Sequence, residues 1–422
     1  MDADIVIVGA GAAGLWAAGT AAALGRRVLV LEKTPRAGSK VLASGGTRCN
    51  LTTTLGADAA ARLFGPAERF LQPSLRALTP QAIRATFHDL GVPTVEEPAL
   101  EKVFPASQRA IDVRDALVQR ATRAGARLRF QARVLGVEAE GGGWTVTLGD
   151  GVVRCGRLLL CPGGASYAAT GTTGDGYRWL RDLDLEVVPA VPALVPLTSA
   201  AGWVTELAGV SIQEVEARLL DPDGRIVQRR ARPVLFTHHG LSGPGAMDLS
   251  SHVARAAQRG PTAGWHVALD LLPSRPQEAV RAALEAASRA PGGPRLARLL
   301  DEPPIGPVAL PARLVAAACA QAGITDTNPA LNQVDRGARN RLVDALKGLR
   351  VPVDGTLGWD KAEVTAGGLA LGEVERGTMA VRRHPGLYAF GEILDLTGPI
   401  GGLNFTAAFA TADLAARAAA KG

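Results

Sequence analysis

Two apolar runs frame the first forty residues. "DIVIVG" (4–9) and "RVLVLE" (27–32) are filled with branched apolar residues, the pattern of short strands buried on both faces. Between them runs a stretch of small residues, from "GAGAAG" (9–14) to about Gly25, which predicts a tight turn and then a closely packed helix. Residues 143–164, "GWTVTLGDGVVRCGRLLLCPGG", read as three short strands linked by Gly-Asp-Gly and Cys-Gly turns. Near the end, "GLYAFGEILDLTGPIGGLNFTAAFATA" (386–412) predicts a strand running into Gly391-Glu392, a loop, and an Ala-rich helix opened by Gly401-Gly402. The middle of the chain has a different texture. "VTELAGVSIQEVEARLLD" (204–221) and "WHVALDLL" (265–272) read as strands, whereas 276–288, 311–323 and 337–349 have helical periodicity. Pro-rich "VVPAVPALVPL" (187–197) and "RVPVDGTLGWD" (350–360) read as linkers into and out of this segment.

The strand, glycine turn, helix and second strand at the front form the pattern of a dinucleotide site. Gly9 makes the turn, Gly11 lets a pyrophosphate approach the backbone, and Gly14 lets helix and sheet pack closely. The pyrophosphate would face the free N–H groups of the helix start. Glu32 ends the second strand, where it can accept hydrogen bonds from an adenosine ribose. This motif leaves NAD and FAD both open. The meander at 143–164 and the C-terminal arrangement favour FAD. Glu392 suits ribityl hydroxyls, and the helix start beyond Gly402 suits the flavin's pyrimidine edge, which gains negative charge on reduction.

Composition narrows the class. The 422 residues allow two or three domains, and 47% apolar content supports a sizeable core. No run approaches ~18 uninterrupted apolar residues, and the acidic opening "MDADIVIVGAGAAGL" lacks the basic start of a signal peptide. A cytoplasmic protein without membrane contact is expected. The cysteines at 49, 155, 161 and 319 form no CxxC, so neither a metal site nor a disulfide framework is expected. Net charge is +6, yet only six of the 46 basic residues are lysine. Abundant arginine beside Ala, Gly and Pro also follows from a GC-rich coding sequence, so charge alone does not establish an anionic partner.

Six segments, in their order and spacing, carry a resemblance: "GAGAAGL", "SGGTRCNLT", "VFPASQRAIDV" (103–113), "TGTTGDGY" (170–177), "LFTHHGLSGP" (235–244) and "GEILDLTGPIGGLNFTAAFATA". From end to end the chain resembles the HI0933-like (YhiN/BaiN-like) FAD flavoproteins. Thr47 departs from the pattern, standing where the family usually has a third glycine; this puts a very close backbone approach there in doubt. The resemblance implies an α/β fold, with a Rossmann-like FAD-binding domain of the two-dinucleotide-binding flavoprotein type at 1–190 and 355–422. An insert at 191–354 would split it, with a β-barrel part at about 191–272 and a helical part at about 273–350. Expected cofactor contacts at the front are Gly9, Gly11, Ala12, Ala13, Gly14, Glu32, Lys33 and Lys40. Further expected contacts are Ser44, Gly45, Gly46, Arg48, Asn50, Val134, Gly163 and Gly164. Gly391, Glu392, Asp395, Gly401, Gly402 and Asn404 complete the expected set.

The loop "ASGGTRCNLT" (43–52) is expected to run along the flavin, its glycines exposing N–H groups. Arg48 would pair with a phosphate or anchor the loop, and Asn50 would fix the turn or bond the ring edge. Cys49 has two readings: a small packing residue, or a thiol that moves a proton beside the flavin with help from Arg48. Without a partner cysteine it is not a disulfide reductase site. In the insert, His238 or His239 is the second proton-donor candidate, against a surface or capping role. Cys155 and Cys161 are expected in the core.

The resemblance implies an FAD-dependent oxidoreductase that reduces an electron-poor C=C bond. No second complete GxGxxG appears, so NAD(P)H would bind transiently as electron donor. The chain's motifs resemble a branch understood to make dihydrouridine in 23S ribosomal RNA. Uracil's C5=C6, conjugated to C4=O, is chemically an enone, and RNA would give the +6 charge a use. With nine Phe, six Trp and three Tyr, the chain suits a single base pocket rather than a wide stacking surface. Three alternatives stay open: a small-molecule enone reductase, an amine or aminoketone oxidase using O2, and a non-catalytic flavin-binding protein.

Overall fold

The computed structural model describes residues 1–301, 305 and 310–421. They form two compact units, Met1–Pro192 with Trp359–Gly422, and Ala193–Gly358. The first is built on a seven-stranded sheet. Strand β1 (Ala3–Val8) pairs in parallel with β2 (Val28–Leu31), Ile5 against Val28 and Val8 against Leu31. On its other side it pairs in parallel with Gly151–Leu160, which in turn carries Leu387–Ala389. Ile5, Val6 and Ile7 are all buried, so both faces of β1 are covered and its apolar run shows no alternation.

Helix α1 (Ala12–Ala23) leads from β1 to β2 and packs along the helix Leu403–Lys421. Small residues on both allow the approach, and the few large ones interlock: the Trp16 and Phe409 rings lie 4.9 Å apart. Asp413 is buried in this seam, where it accepts from Trp16 Nε1 (3.2 Å), Thr20 Oγ1 (3.0 Å) and Arg417 Nε (2.6 Å). A buried carboxylate stripped of such donors would cost about 3–5 kcal/mol. The Ala-rich C-terminal helix is therefore a core element.

Two expectations change in this unit. Cys155-Gly156 does not turn: Gly151–Leu160 is one strand, antiparallel to Gly143–Leu148 in its first half and parallel to β1 in its second. Gly156 is extended, without the positive φ that a glycine turn uses, and the third meander strand is Val134–Glu140. Nor is 187–197 a plain linker. Val187–Ala193 pairs with Val364–Leu369 in a two-stranded sheet, where every strand has a free edge on which proline is tolerated.

In the second unit a five-stranded antiparallel sheet and a four-stranded one share a core with the helices Gln277–Arg289, Ala312–Gln321 and Arg336–Lys347. Leu219, Phe236, Val267, Leu284, Leu314 and Leu346 meet in that core. The expected barrel part thus takes the form of two open sheets. "VTELAG" is a helical turn, Gly202–Glu206, because Val204 and Leu207 are buried at a spacing of three. Leu349–Pro352, read as part of a linker, edges the four-stranded sheet. Among the described residues no helix is long and apolar enough to cross a membrane.

Candidate functional site

The glycine turn is shaped by contacts that leave no room for side chains at two positions and ample room at a third. Gly9 has φ +105°, and a Cβ there would lie 2.6 Å from the Cys161 carbonyl oxygen. A Cβ on Gly14 would lie 1.9 Å from the Gly9 carbonyl oxygen. A Cβ on Gly11 would meet nothing within 4 Å, and as N-cap of α1 Gly11 offers no side chain to the first N–H groups. Open space beside unsatisfied donors is what a pyrophosphate needs. Ala13 is buried and Ala12 half-buried, and neither carries a side chain longer than a methyl. Glu32 is held where β2 ends: one oxygen accepts from Ala10 N (2.9 Å), the other from Thr34 N and Oγ1 (both 2.8 Å). A carboxylate accepts about four hydrogen bonds, so this one retains capacity for a hydroxyl. The residues present fit a dinucleotide.

Lys33 does not point free into this space. Its Nζ bonds Thr173 Oγ1 (2.6 Å) and Asp175 (2.8 Å), pinning the "TGTTGDGY" segment to the end of β2. Val134 is buried and paired to Leu148 at the start of the meander.

Glu392 and Lys40 form a second cluster. Lys40 Nζ lies 2.7 Å from both Glu392 oxygens and 2.7 Å from Ser166 Oγ. Thr365 N donates to the same carboxylate (2.9 Å), and Thr365 Oγ1 accepts from Ala165 N (2.8 Å) and Ser166 N (3.2 Å). Ser166 and Thr365 escaped sequence reasoning because a lone Ser and Thr outside any motif carry no pattern. Gly163 and Gly164 are required here: Gly163 has φ +82°, and a Cβ on Gly164 would meet Thr365 Oγ1 at 2.2 Å. Tyr177, buried nearby, has its phenol pushed above the usual range by burial and by the Glu392 carboxylate.

The 43–52 loop carries a run of left-handed backbone: Gly45 (φ +55°), Gly46 (+65°), Thr47 (+69°), then Cys49 (+62°). Arg48 anchors the loop, lying 4.1 Å over the Phe104 ring and bonding Glu97 (2.7 Å) and Gln108 (3.1 Å). Ser44 Oγ donates to the Val41 carbonyl at 2.7 Å. Cys49 is 0% exposed, and burial pushes its thiol up to about 12 despite a hydrogen bond with Ser44. That is the setting of a packing residue, because a proton carrier needs a pKa near the working pH and a path to substrate. Cys155 and Cys161 are buried too, their thiols also shifted up by burial.

Asn50 ties the loop to the C-terminal helix. With both ends of its amide satisfied, it accepts from Gly402 N (2.8 Å) and donates to the Thr52 carbonyl (3.3 Å). A Cβ on Gly402 would lie 2.1 Å from that same Thr52 oxygen. Gly391 and Gly401 have φ +73° and +137°. Asn404, in the first turn of the C-terminal helix, is engaged by the loop before it, accepting from Gly398 N and donating to Gly398 O, both at 2.9 Å. Asp395 accepts from Gly367 N (3.0 Å). These two side chains shape the loop, and the helix start at Leu403 remains behind a glycine pair. His238 belongs to the second unit. It lies exposed, with His239, in the two-residue turn joining Val234–Thr237 to Gly240–Ser242.

Residues 3–418 match the family described as HI0933-like protein Rossmann domain. The chain is 32% identical over 412 residues to the ribosomal RNA dihydrouridine synthase of Escherichia coli K12, covering 97% of this chain and 96% of that protein. It is 29% identical over 426 residues to the 3-dehydro-bile acid delta(4,6)-reductase of Clostridium scindens, covering 99% of each. Among solved structures, the 3-ketosteroid delta1-dehydrogenase of Sterolibacterium denitrificans shares the fold at TM-score 0.54 and 13% identity, covering 99% of each chain.

Proposed function

The chain belongs to the HI0933-like Rossmann family and is an FAD-dependent oxidoreductase; from that premise we propose that it reduces uridine to dihydrouridine in 23S ribosomal RNA, with NAD(P)H as reductant. The observation that carries this reading is the full-length likeness to the Escherichia coli synthase. When bound, FAD supplies the hydride that a C=C bond conjugated to a carbonyl accepts at its β-carbon.

The chain's own residues bind and orient. The open face at Gly11 and the N–H groups of α1 hold a pyrophosphate, while Glu32, fixed by Ala10 and Thr34, takes a ribose hydroxyl. The helix N–H groups behind Gly401-Gly402 would favour negative charge at the flavin's pyrimidine edge. Lys40 and the Thr365 N–H fix the Glu392 carboxylate, which would accept from the ribityl hydroxyls. A target base must leave its stack to enter such a pocket. With Cys49 sealed, its thiol is not the proton donor to the α-carbon.

Mapping 23S rRNA by mass spectrometry, with and without the gene, tests the substrate: dihydrouridine should vanish at one site on deletion, and an unchanged map would remove RNA from the reading. The bile acid reductase relative favours a second reading, a small enone as substrate. Saturable NAD(P)H oxidation on a steroid-like enone, together with an unchanged rRNA map, would select it.

A further inference from the structure

The four-stranded sheet of the second unit has an inner and an outer face. Ala217, Leu219, Val267, Leu269, Leu349 and Val351 are buried on the inner one. Alternation puts Arg218, Ala268 and Arg350 on the outer face, and the register aligns them with Arg229. Arg229 stands opposite Arg218, Arg218 opposite Ala268, and Ala268 opposite Arg350. One row straight across the sheet thus carries three arginines around an alanine. The adjacent acids are already engaged: Arg218 bonds both Glu216 and Asp270, and Lys347 lies 2.8 Å from Asp270. Arg229 and Arg350 are exposed, and neither makes an ion pair among the described residues.

Like charges placed opposite each other destabilise a sheet; Arg218 is offset by its two carboxylates, whereas Arg229 and Arg350 have no such offset. The outer strands are three spacings apart, which sets Arg229 and Arg350 roughly 14 Å from each other. The row holds no aromatic side chain of the kind that anchors a protein interface, and no large apolar one that would enter a membrane. What remains is a pair of exposed guanidinium groups on one row, and guanidinium pairs with phosphates through forked hydrogen bonds. We infer that Arg229 and Arg350, on either side of the carboxylate-bound Arg218, form a docking surface for the phosphate backbone of RNA. This inference rests on the ribosomal RNA reading and deepens it.

The test measures binding of transcribed 23S rRNA by the FAD-loaded protein across a KCl series. The variant Arg229→Glu/Arg350→Glu is compared with Arg229→Lys/Arg350→Lys and with Arg62→Glu/Arg69→Glu, a charge-matched change in the first unit. Loss of two phosphate contacts should reduce the log–log salt slope by about 2, with flavin absorbance and melting temperature unchanged. The lysine pair and the charge-matched control should stay close to the unmodified protein. Equal slopes for the unmodified protein and the Glu pair overturn the surface while leaving the substrate reading intact. Equal loss in the charge-matched control overturns it as well. Absence of rRNA binding by the unmodified protein removes both, and loss confined to phosphatidylglycerol vesicles assigns the row to a membrane and overturns RNA.

Discussion

The glycine turn at 9–14 and the loop at 43–52 both bring bare backbone to the site, by opposite means. In the turn, sterics decide two of the three glycines: Gly9 and Gly14 have carbonyl oxygens close to where a Cβ would go, whereas a Cβ on Gly11 would meet nothing. In the loop, left-handed backbone runs past the glycines into Thr47 and Cys49, which adopt it against their own preference. The loop is then held by side chains: Arg48 on Phe104 and Glu97, Asn50 on Gly402, and Cys49 sealed below. A turn enforced by contact tolerates no substitution at its contacts. A loop held by anchors stores strain that anchors must offset.

The largest effect expected from this contrast lies in the turn. In Gly14→Ala the new methyl meets backbone at 1.9 Å, which no rotamer relieves, so stability should fall by about 3 kcal/mol or more. Gly11→Val should act in the other way, leaving the melting temperature within a few degrees while the protein purifies colourless, because its side chain enters only the pyrophosphate space. Thermal melts and flavin absorbance on both separate the cases. A yellow Gly11→Val protein would show that the open face does not hold the cofactor.

Arg48→Ala addresses the loop's anchor and should have a smaller effect. Its ion pair with Glu97 is about two-fifths exposed on each side and is worth at most about 1 kcal/mol. The guanidinium over Phe104 adds a further ~0.5–1 kcal/mol. Chemical denaturation should report a loss of about 1 kcal/mol, and a loss as large as that of Gly14→Ala would erase the distinction between the two regions.

The same contrast explains what could be read before the structure. Gly9, Gly11 and Gly14 follow from a spacing whose mechanical reasons are local, and β1, α1 and β2 were legible with them. The loop's role in the site was legible only as a likeness, because its anchors, Phe104, Glu97 and Gln108, are some fifty residues or more away. Cys49 could not be resolved between packing and chemistry, since burial belongs to the fold. Asn404 and Lys33 were read as cofactor contacts; that their polar groups bond Gly398 and Asp175 was not legible, because those partners belong to the fold. The continuous strand through Gly156 was missed because Cys-Gly between two apolar runs also fits a turn.

Thr47 tests whether the loop is strained. With φ +69° it sits where a β-branched residue pays about 1–2 kcal/mol, while its carbonyl still accepts from Ala110 N at 2.9 Å. Thr47→Gly removes that strain but adds freedom to the unfolded chain, worth about 0.4–1 kcal/mol. A net gain of about 0.5–1 kcal/mol should appear in denaturation midpoints. A loss would mean that the Thr47 side chain supports the loop more than its backbone strains it.

The smallest effect is the sharpest, because it isolates one proton. The Cys49 thiol is raised from an ordinary value near 9 to about 12 by burial. A raised folded pKa means that the protonated thiol is favoured in the fold, so its contribution is complete below about pH 8.5 and declines as pH rises toward 12. Between pH 8 and 9 that decline is on the order of 0.5 kcal/mol, since the unfolded chain begins to release a proton that the fold retains. Other buried groups titrate in the same range, Cys155 among them at about 11. The difference between the unmodified protein and Cys49→Ala cancels them. Stability of the alanine variant should therefore fall less steeply over this interval, with FAD retained and turnover close to that of the unmodified protein. Parallel curves would place the thiol in contact with water, and a large loss of turnover beside them would return Cys49 to the chemistry.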